Sequence, residues 1–147
     1  MVDLRFASAL QVMLSIAHAG AEGIAVLSSS QLAEGLEANP SFVRKLVGQL
    51  ADAGLVTTIN GKHGGMRLSR PAAEITLADV YLAVSPDKML IAKRPAIAHR
   101  CLVTANINSL LDNVARQAQE ALLDTLRRRD LATTLYEFAH QGSTSSR

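Results

Sequence analysis

Cysteine occurs once, at position 101, tryptophan is absent, and aromatic residues make up only 3% of the chain. One cysteine excludes an intrachain disulfide. A core poor in rings must be built from Leu, Ala, Val and Ile, which suits helix packing against helix, and strand-forming residues are confined to short patches. No stretch approaches 18 uninterrupted apolar residues, so no membrane-spanning helix is expected. The segment from Met1 to Ala21 carries Asp3, Arg5, Gln11 and His18. It lacks the basic start, continuous apolar run and cleavage site of a signal peptide, and a cytoplasmic protein is expected.

What is present is ample hydrophobic material: 48% of 147 residues, enough for one packed domain with an extension. The net charge of +2 implies nothing about partners, but its distribution does. Between Ser41 and Arg70, five cations (Arg44, Lys45, Lys62, Arg67, Arg70) face the single acid Asp52. The rest of residues 1–84 has Arg5 against six acids. A basic window in an otherwise acidic half is a footprint for phosphate binding.

Periodicity predicts a first helix from Leu4 to Ala19, with Leu4, Ala7, Leu10, Leu14 and Ala17 on one buried face, widened by Phe6, Val12, Met13 and Ile16. Gly20 and Gly23 are expected to end it. Ser28 and Gln31 form a capping-box pair that opens a short helix through Leu36. Asn39 caps the next helix with Pro40 in its first position, and Val43, Leu46, Val47 and Leu50 form its buried face. Gly54 stops it. Extended runs Leu55–Ile59 and Met66–Ser69, joined by Asn60-Gly61-Lys62-His63-Gly64-Gly65, predict a hairpin. Thr76 caps a helix from Leu77 to Val84.

Residues Ser85 to Arg100 contain Pro86 and Pro95, lack periodicity and carry Lys88, Lys93, Arg94 and Arg100, the pattern of a basic loop. From Val103 a helix of about 25 residues would span about 37 Å, more than a small domain needs for its own core. A last helix covers Leu131 to His140, and Gly142 to Arg147 is expected to be disordered. The predicted fold is therefore mainly α with a small β-hairpin wing. It is divided as 1–84 winged helix-turn-helix, 85–101 basic loop and candidate sensory region, 102–140 dimerisation and terminal helices, and 141–147 tail.

Helix, short helix, turn, helix, hairpin is the order of a winged helix-turn-helix. With Val43, Leu46, Val47 and Leu50 buried, the second helix of the pair presents Ser41, Phe42, Arg44, Lys45 and Gln49 on its other face. Arg or Lys near the N-terminus of such a helix can donate to guanine edges or phosphate, and Phe42 can touch a thymine methyl. Lys62 and His63 sit at the wing tip among glycines that permit close approach of the backbone to DNA. Arg5, Ser29, Gln31 and Arg67 complete the candidate DNA-contacting set. On the long helix, Val103, Ile107, Leu110, Leu111, Val114 and Leu122 are the candidate dimerisation residues. Two half-sites would double the few phosphate contacts of one monomer.

The sequence resembles the Rrf2 family of winged-helix regulators, the group that contains IscR, NsrR and CymR. The resemblance covers about residues 1–140. It is carried by Ser29-Ser30-Gln31-Leu32-Ala33-Glu34, by Asn39-Pro40-Ser41-Phe42-Val43 with Leu50-Ala51-Asp52-Ala53-Gly54-Leu55-Val56, and by Gly61-Lys62-His63-Gly64-Gly65-Met66-Arg67-Leu68. It implies a homodimeric repressor crossed through the long helix on a near-palindromic double-stranded operator, with a sensory region before that helix. Several relatives hold an iron–sulfur cluster there on three cysteines. This chain has Cys101 alone, so no cluster or other cofactor is expected.

Cys101, with His99 two residues before it, is the candidate sensor. Cationic neighbours and a helix N-terminus lower a thiol pKa. Oxidation, including an intersubunit disulfide, would then reorient the DNA-binding units. The other readings are a packing cysteine, a small-molecule effector bound near the basic loop, or a winged helix used for protein contacts. An enzyme is not expected: residues i and i+2 do not face each other on a helix, and no oxyanion motif accompanies His99 and Cys101.

Overall fold

The computed structural model describes residues 3–87, 89–96, 98 and 101–141. Six helices and one hairpin appear among them: α1 (Arg5–Ala21), α2 (Ser29–Leu36), α3 (Pro40–Asp52), β1 (Val56–Ile59), β2 (Gly65–Leu68), α4 (Leu77–Val84), α5 (Leu102–Arg127) and α6 (Leu131–Gln141). A single 3-10 turn, Ala72–Glu74, precedes α4 and was not foreseen. The expected mainly-α architecture with a β wing is what the chain adopts.

The helix starts follow from local chemistry. Ser28 Oγ accepts from the Gln31 N–H (3.2 Å), and Gln31 Oε1 accepts from the Ser28 N–H (2.9 Å). Thr76 and Asp79 repeat this reciprocal box at α4. Asn39 Oδ1 accepts from the Ser41 N–H at 2.8 Å, with Pro40 fixing the first turn of α3. Each box satisfies donors that a helix start otherwise leaves without partners.

The hairpin pairs Val56 with Leu68 and Ile59 with Gly65. A third segment joins it: Leu27 and Met66 exchange backbone bonds of 2.7 and 3.1 Å. This explains Gly65. A Cβ there would lie 2.6 Å from the Leu27 carbonyl oxygen, and backbone cannot swing aside. At Gly64 a Cβ would collide with the Ile59 carbonyl in the same way. The tight wing therefore requires both glycines.

The core gathers Val12, Met13 and Ile16 of α1, the whole expected face of α3, Val80 and Val84 of α4, and Leu131 of α6. Two details of α1 differ from the sequence reading. The helix runs through Gly20 to Ala21, and the chain turns at Gly23, whose φ is +82°. More consequentially, the core face is Ala9 with the expected Val12, Met13, Ile16 and Ala17, while the expected Leu4 and Ala7 are exposed and Leu10 and Leu14 only half-buried. The helix is apolar on more than one side, and packing against α3 and α4 selected the face of Ala9, Val12, Met13 and Ile16.

The long helix is anchored at one end. Leu126 packs against the core, and the α5–α6 link is stitched to the strand-like segment before α4: Leu77 donates to the Arg129 carbonyl and Leu131 to that of Ile75, both at 3.0 Å. At the other end no residue of α5 is buried. The basic loop is strapped along this exposed half. Asn108 exchanges two hydrogen bonds with the Arg94 backbone (3.0 and 3.2 Å), and Lys93 pairs with Asp112 at 3.2 Å. The expected tail from Gly142 lies outside the described residues, as do Lys88, His99 and Arg100. No helix among the described residues is long and apolar enough to cross a membrane.

Candidate nucleic-acid interface

Helix α3 buries Val43, Leu46, Val47 and Leu50 and turns its other side outward. Ser41, Arg44 and Lys45 are exposed on its first two turns. The Arg44 guanidinium donates to Ser41 Oγ at 3.3 Å, which holds it over the helix N-terminus. The open N–H groups and dipole of that end favour an anion there, and Arg44 and Lys45 reinforce the preference. Two neighbours sit deeper than expected. Phe42 is half-buried against the core, so less of its ring is open. Gln49 is also half-buried, its Oε1 enclosed without a hydrogen-bond partner.

On α2, Ser29 is half-buried in the first turn and Gln31 is exposed. The capping box uses the Gln31 carbonyl oxygen, which leaves its amide nitrogen as the donor free to meet a ligand. At the wing, Lys62 and His63 are exposed in the turn opened by Gly61 (φ +111°), and Arg67 is exposed on β2 opposite Thr57. Of the basic window, only Arg70 is neutralised, by Asp79 at 3.3 Å. No ion pair among the described residues engages Arg44, Lys45, Lys62 or Arg67. Arg5 differs: it is clamped by Asp3 through bonds of 2.8 to 3.1 Å, an arrangement that raises its pKa. The structure thus places α3 and wing cations without acidic partners and ties Arg5 into a local pair.

Cys101 is exposed and caps the N-terminus of α5. Backbone N–H groups of Thr104 and Val103 lower its thiol pKa by stabilising the thiolate. His99 lies outside the described residues. Of the candidate dimerisation residues, Val103, Leu110 and Val114 are exposed and Ile107, Leu111 and Leu122 half-buried. The sequence reading missed the strap on α5. Asn108 and Arg94 are 14 residues apart, and no local signal marks an asparagine for such a role.

A family model for Rrf2, described as an iron-dependent transcriptional regulator, matches residues 2–137. YwgB of Bacillus subtilis, whose name describes an HTH-type transcriptional regulator, is 43% identical over 60 residues, covering 41% of this chain and 38% of YwgB. The chain thus spans well under half the length of that relative. A crystal structure from Lactobacillus plantarum, described as a transcriptional regulator, superposes with a TM-score of 0.77 at 25% identity, covering 98% of this chain and 99% of the other. IscR of T. potens has the same fold, with a TM-score of 0.67 at 20% identity over 93% of this chain and 87% of its own. Among the described residues the donor set does not fit the iron of that family description. The sequence has one cysteine, and no group of three or more His, Cys, Asp or Glu among the described residues could hold a metal. A protein-held cluster needs more thiolates than one chain supplies. With its six helices, its wing and a match that runs nearly end to end, this chain belongs to the Rrf2 family of transcriptional regulators.

Proposed function

We propose that the chain is a homodimeric, sequence-specific DNA-binding repressor that sets one winged helix on each half of a near-palindromic operator. The observation that carries this is the set of exposed cations without acidic partners on the open end of α3 and on the wing. Helix α3 would enter the major groove by its N-terminus, with Arg44 and Lys45 toward base edges, while Lys62 and Arg67 meet phosphate. The exposed apolar stripe of α5 supports a dimer, which would present two such units at a fixed spacing.

Bound sequences selected from a random duplex pool test this reading. Arg44→Ala is expected to relax preference at one base position and cost about 1–3 kcal/mol, whereas Lys62→Ala weakens all sequences alike and lowers the salt dependence. Uniform losses from both variants would place Arg44 on phosphate. Binding that stays at the non-specific level and collapses with salt would favour a protein-contact module instead.

A thiol switch is a second reading, favoured by the exposure of Cys101 and its lowered pKa. The thiolate sulfur would attack a peroxide, leaving a sulfenic acid and releasing the other oxygen as water or alcohol. Cys101→Ser should then abolish the response of operator affinity to peroxide. An unaltered response in that variant rules the switch out.

A further inference from the structure

The third segment of the wing pairs with β2 at one position only. Leu27 and Met66 exchange both backbone bonds, and there the pairing stops. The register would next bring Ala25 opposite Leu68, yet no backbone bond joins those two residues. The cause lies at the end of α1. Gly23 (φ +82°) turns the chain, and the Ile24 N–H donates to the Ala19 carbonyl at 2.8 Å, which holds this segment against α1 rather than β2. The two segments part like a fork, with a pocket of about 550 Å³ between them. Ala17, Gly20 and Ile24 line one side, and Leu68, Pro71 and Ala72 the other. The cations Arg67 and Arg70 line the same pocket. Arg70 is shared with Asp79, and no ion pair among the described residues engages Arg67. Two cations against one acid leave one positive charge. A backbone donor adds to it. The Ser69 N–H points across β1 to the Leu55 carbonyl, so strand alternation turns the Leu68 N–H to the opposite edge, into the fork.

We infer that this fork binds a small aliphatic monocarboxylate, which competes with DNA phosphate for Arg67. The competition rests on the DNA-binding reading and gives it a class of effector. The volume lies within the range of small-molecule sites, roughly 300–1,000 Å³. Among the described residues no aromatic ring lines the pocket, so it offers a ligand nothing to stack on and suits an aliphatic body. One net positive charge calls for one negative charge, and a guanidinium matches a carboxylate through two parallel N–H bonds. The Leu68 N–H is a further donor for the same oxygens. A peptide strand is excluded, because Leu27 already occupies the edge of β2 at Met66 and leaves only the Leu68 position open. Arg67 is exposed on the wing and is the residue the two ligands share. A carboxylate bound to it withdraws a cation from the phosphate contact, and by linkage operator DNA weakens the acid by the same factor.

Octanoate is the probe, and octanol, of the same length without the charge, is its control. In nitrogen-15 correlation spectra of the full chain without DNA, millimolar octanoate should shift the amides of Ala25, Leu27 and Leu68 saturably. Octanol should bind about tenfold more weakly, the loss of a charge-assisted hydrogen bond. Equal binding of octanol overturns the carboxylate assignment. Shifts centred on Leu10, Leu14 and Phe138, which line an apolar groove between α1 and α6, overturn the fork as the site. Ala25→Trp fills the fork from an exposed position, so the chain should fold and keep the parent's operator affinity while the octanoate shifts vanish. Shifts that persist in this variant sink the proposal. Arg67→Gln should weaken octanoate about tenfold, and an unchanged affinity would free Arg67 from any part in the site. On a selected operator duplex, saturating octanoate should raise the parent's dissociation constant about tenfold and leave that of Ala25→Trp unaltered. Octanoate bound in the fork with no effect on the operator overturns the competition. Absence of any specifically bound duplex would count against the DNA-binding reading alone, since the spectra decide the pocket without DNA.

Discussion

Leu110→Glu is expected to leave the protomer folded, make it monomeric at micromolar concentration and weaken binding to a two-half-site operator by about 10²- to 10⁴-fold. Leu110 is more than half exposed in the protomer, so a charge there meets water in the monomer. In a dimer crossed through α5 the same carboxylate would be buried without a partner, a cost that dissociates the pair. The loss on DNA follows from linkage. In a dimer the second half-site is bound at the effective concentration set by the first, and separation removes that gain without altering a single DNA contact. Affinity for an isolated half-site should therefore match the parent's. Sedimentation and fluorescence anisotropy on whole and half operators read both effects. If the variant sediments like the parent, α5 is not the seam.

The second large effect is on stability. Leu131→Ala should destabilise the protomer by about 2–5 kcal/mol, the range for removing a fully buried leucine. Leu131 is inaccessible to solvent and lies in the same cluster as Met13 and Val80. It also sits where the chain is most tightly stitched: its N–H donates to Ile75, Leu77 donates to Arg129, and Thr76 bridges Asp130. Asp130 holds the first turn of α6 by accepting from the Thr133 N–H and hydroxyl, each at 2.8 Å. The Thr133 N–H is the largest cause of the lowered pKa of that carboxyl. These bonds position the leucine, so the cavity cannot close by sliding the helix. Urea unfolding in a Leu110→Glu background isolates the protomer's own stability from dimer coupling. A loss under about 1 kcal/mol would mean that α6 is an appendage rather than part of the core.

Both effects bear on how the proposed DNA-binding surface is joined to the proposed dimer surface. α3 and the wing rest on α1 and α4, and α5 runs into α6 through a link of three residues, Arg128 to Asp130, whose Arg129 carbonyl accepts from the first residue of α4, Leu77. In the proposed dimer, any change in the pairing of α5 would therefore reach the body anchored at its C-terminal end. The strap of Arg94 and Lys93 on Asn108 and Asp112 ties the loop before Cys101 to the same helix. Chemistry at that loop would thereby reach α5 directly.

The starts of α2, α3 and α4 were legible in the sequence because the groups that stop or start a helix lie within three or four residues of each other. Ser28 with Gln31, Asn39 with Ser41 and Thr76 with Asp79 satisfy backbone donors locally, whatever the rest of the chain does. Arg44, Lys45, Lys62 and His63 were legible for the same reason: once caps and the hairpin turn fix the helix and wing, their exposure follows from the opposite apolar face. The depth of Phe42 and Gln49 was not, since it depends on how closely α2 and α1 approach. Nor was the working face of α1. Its apolar residues encircle more than half the helix, so periodicity alone offers two stripes of nearly equal merit. Only competition among α3, α4 and α6 for contact decided that Ala9, Val12 and Met13 go inward and that Ala7, Leu10 and Leu14 remain on a groove. Local hydrogen bonds fix where an element begins, because they close over a few residues. Which face it buries is a choice between non-local contacts, and that choice is made only when the elements meet.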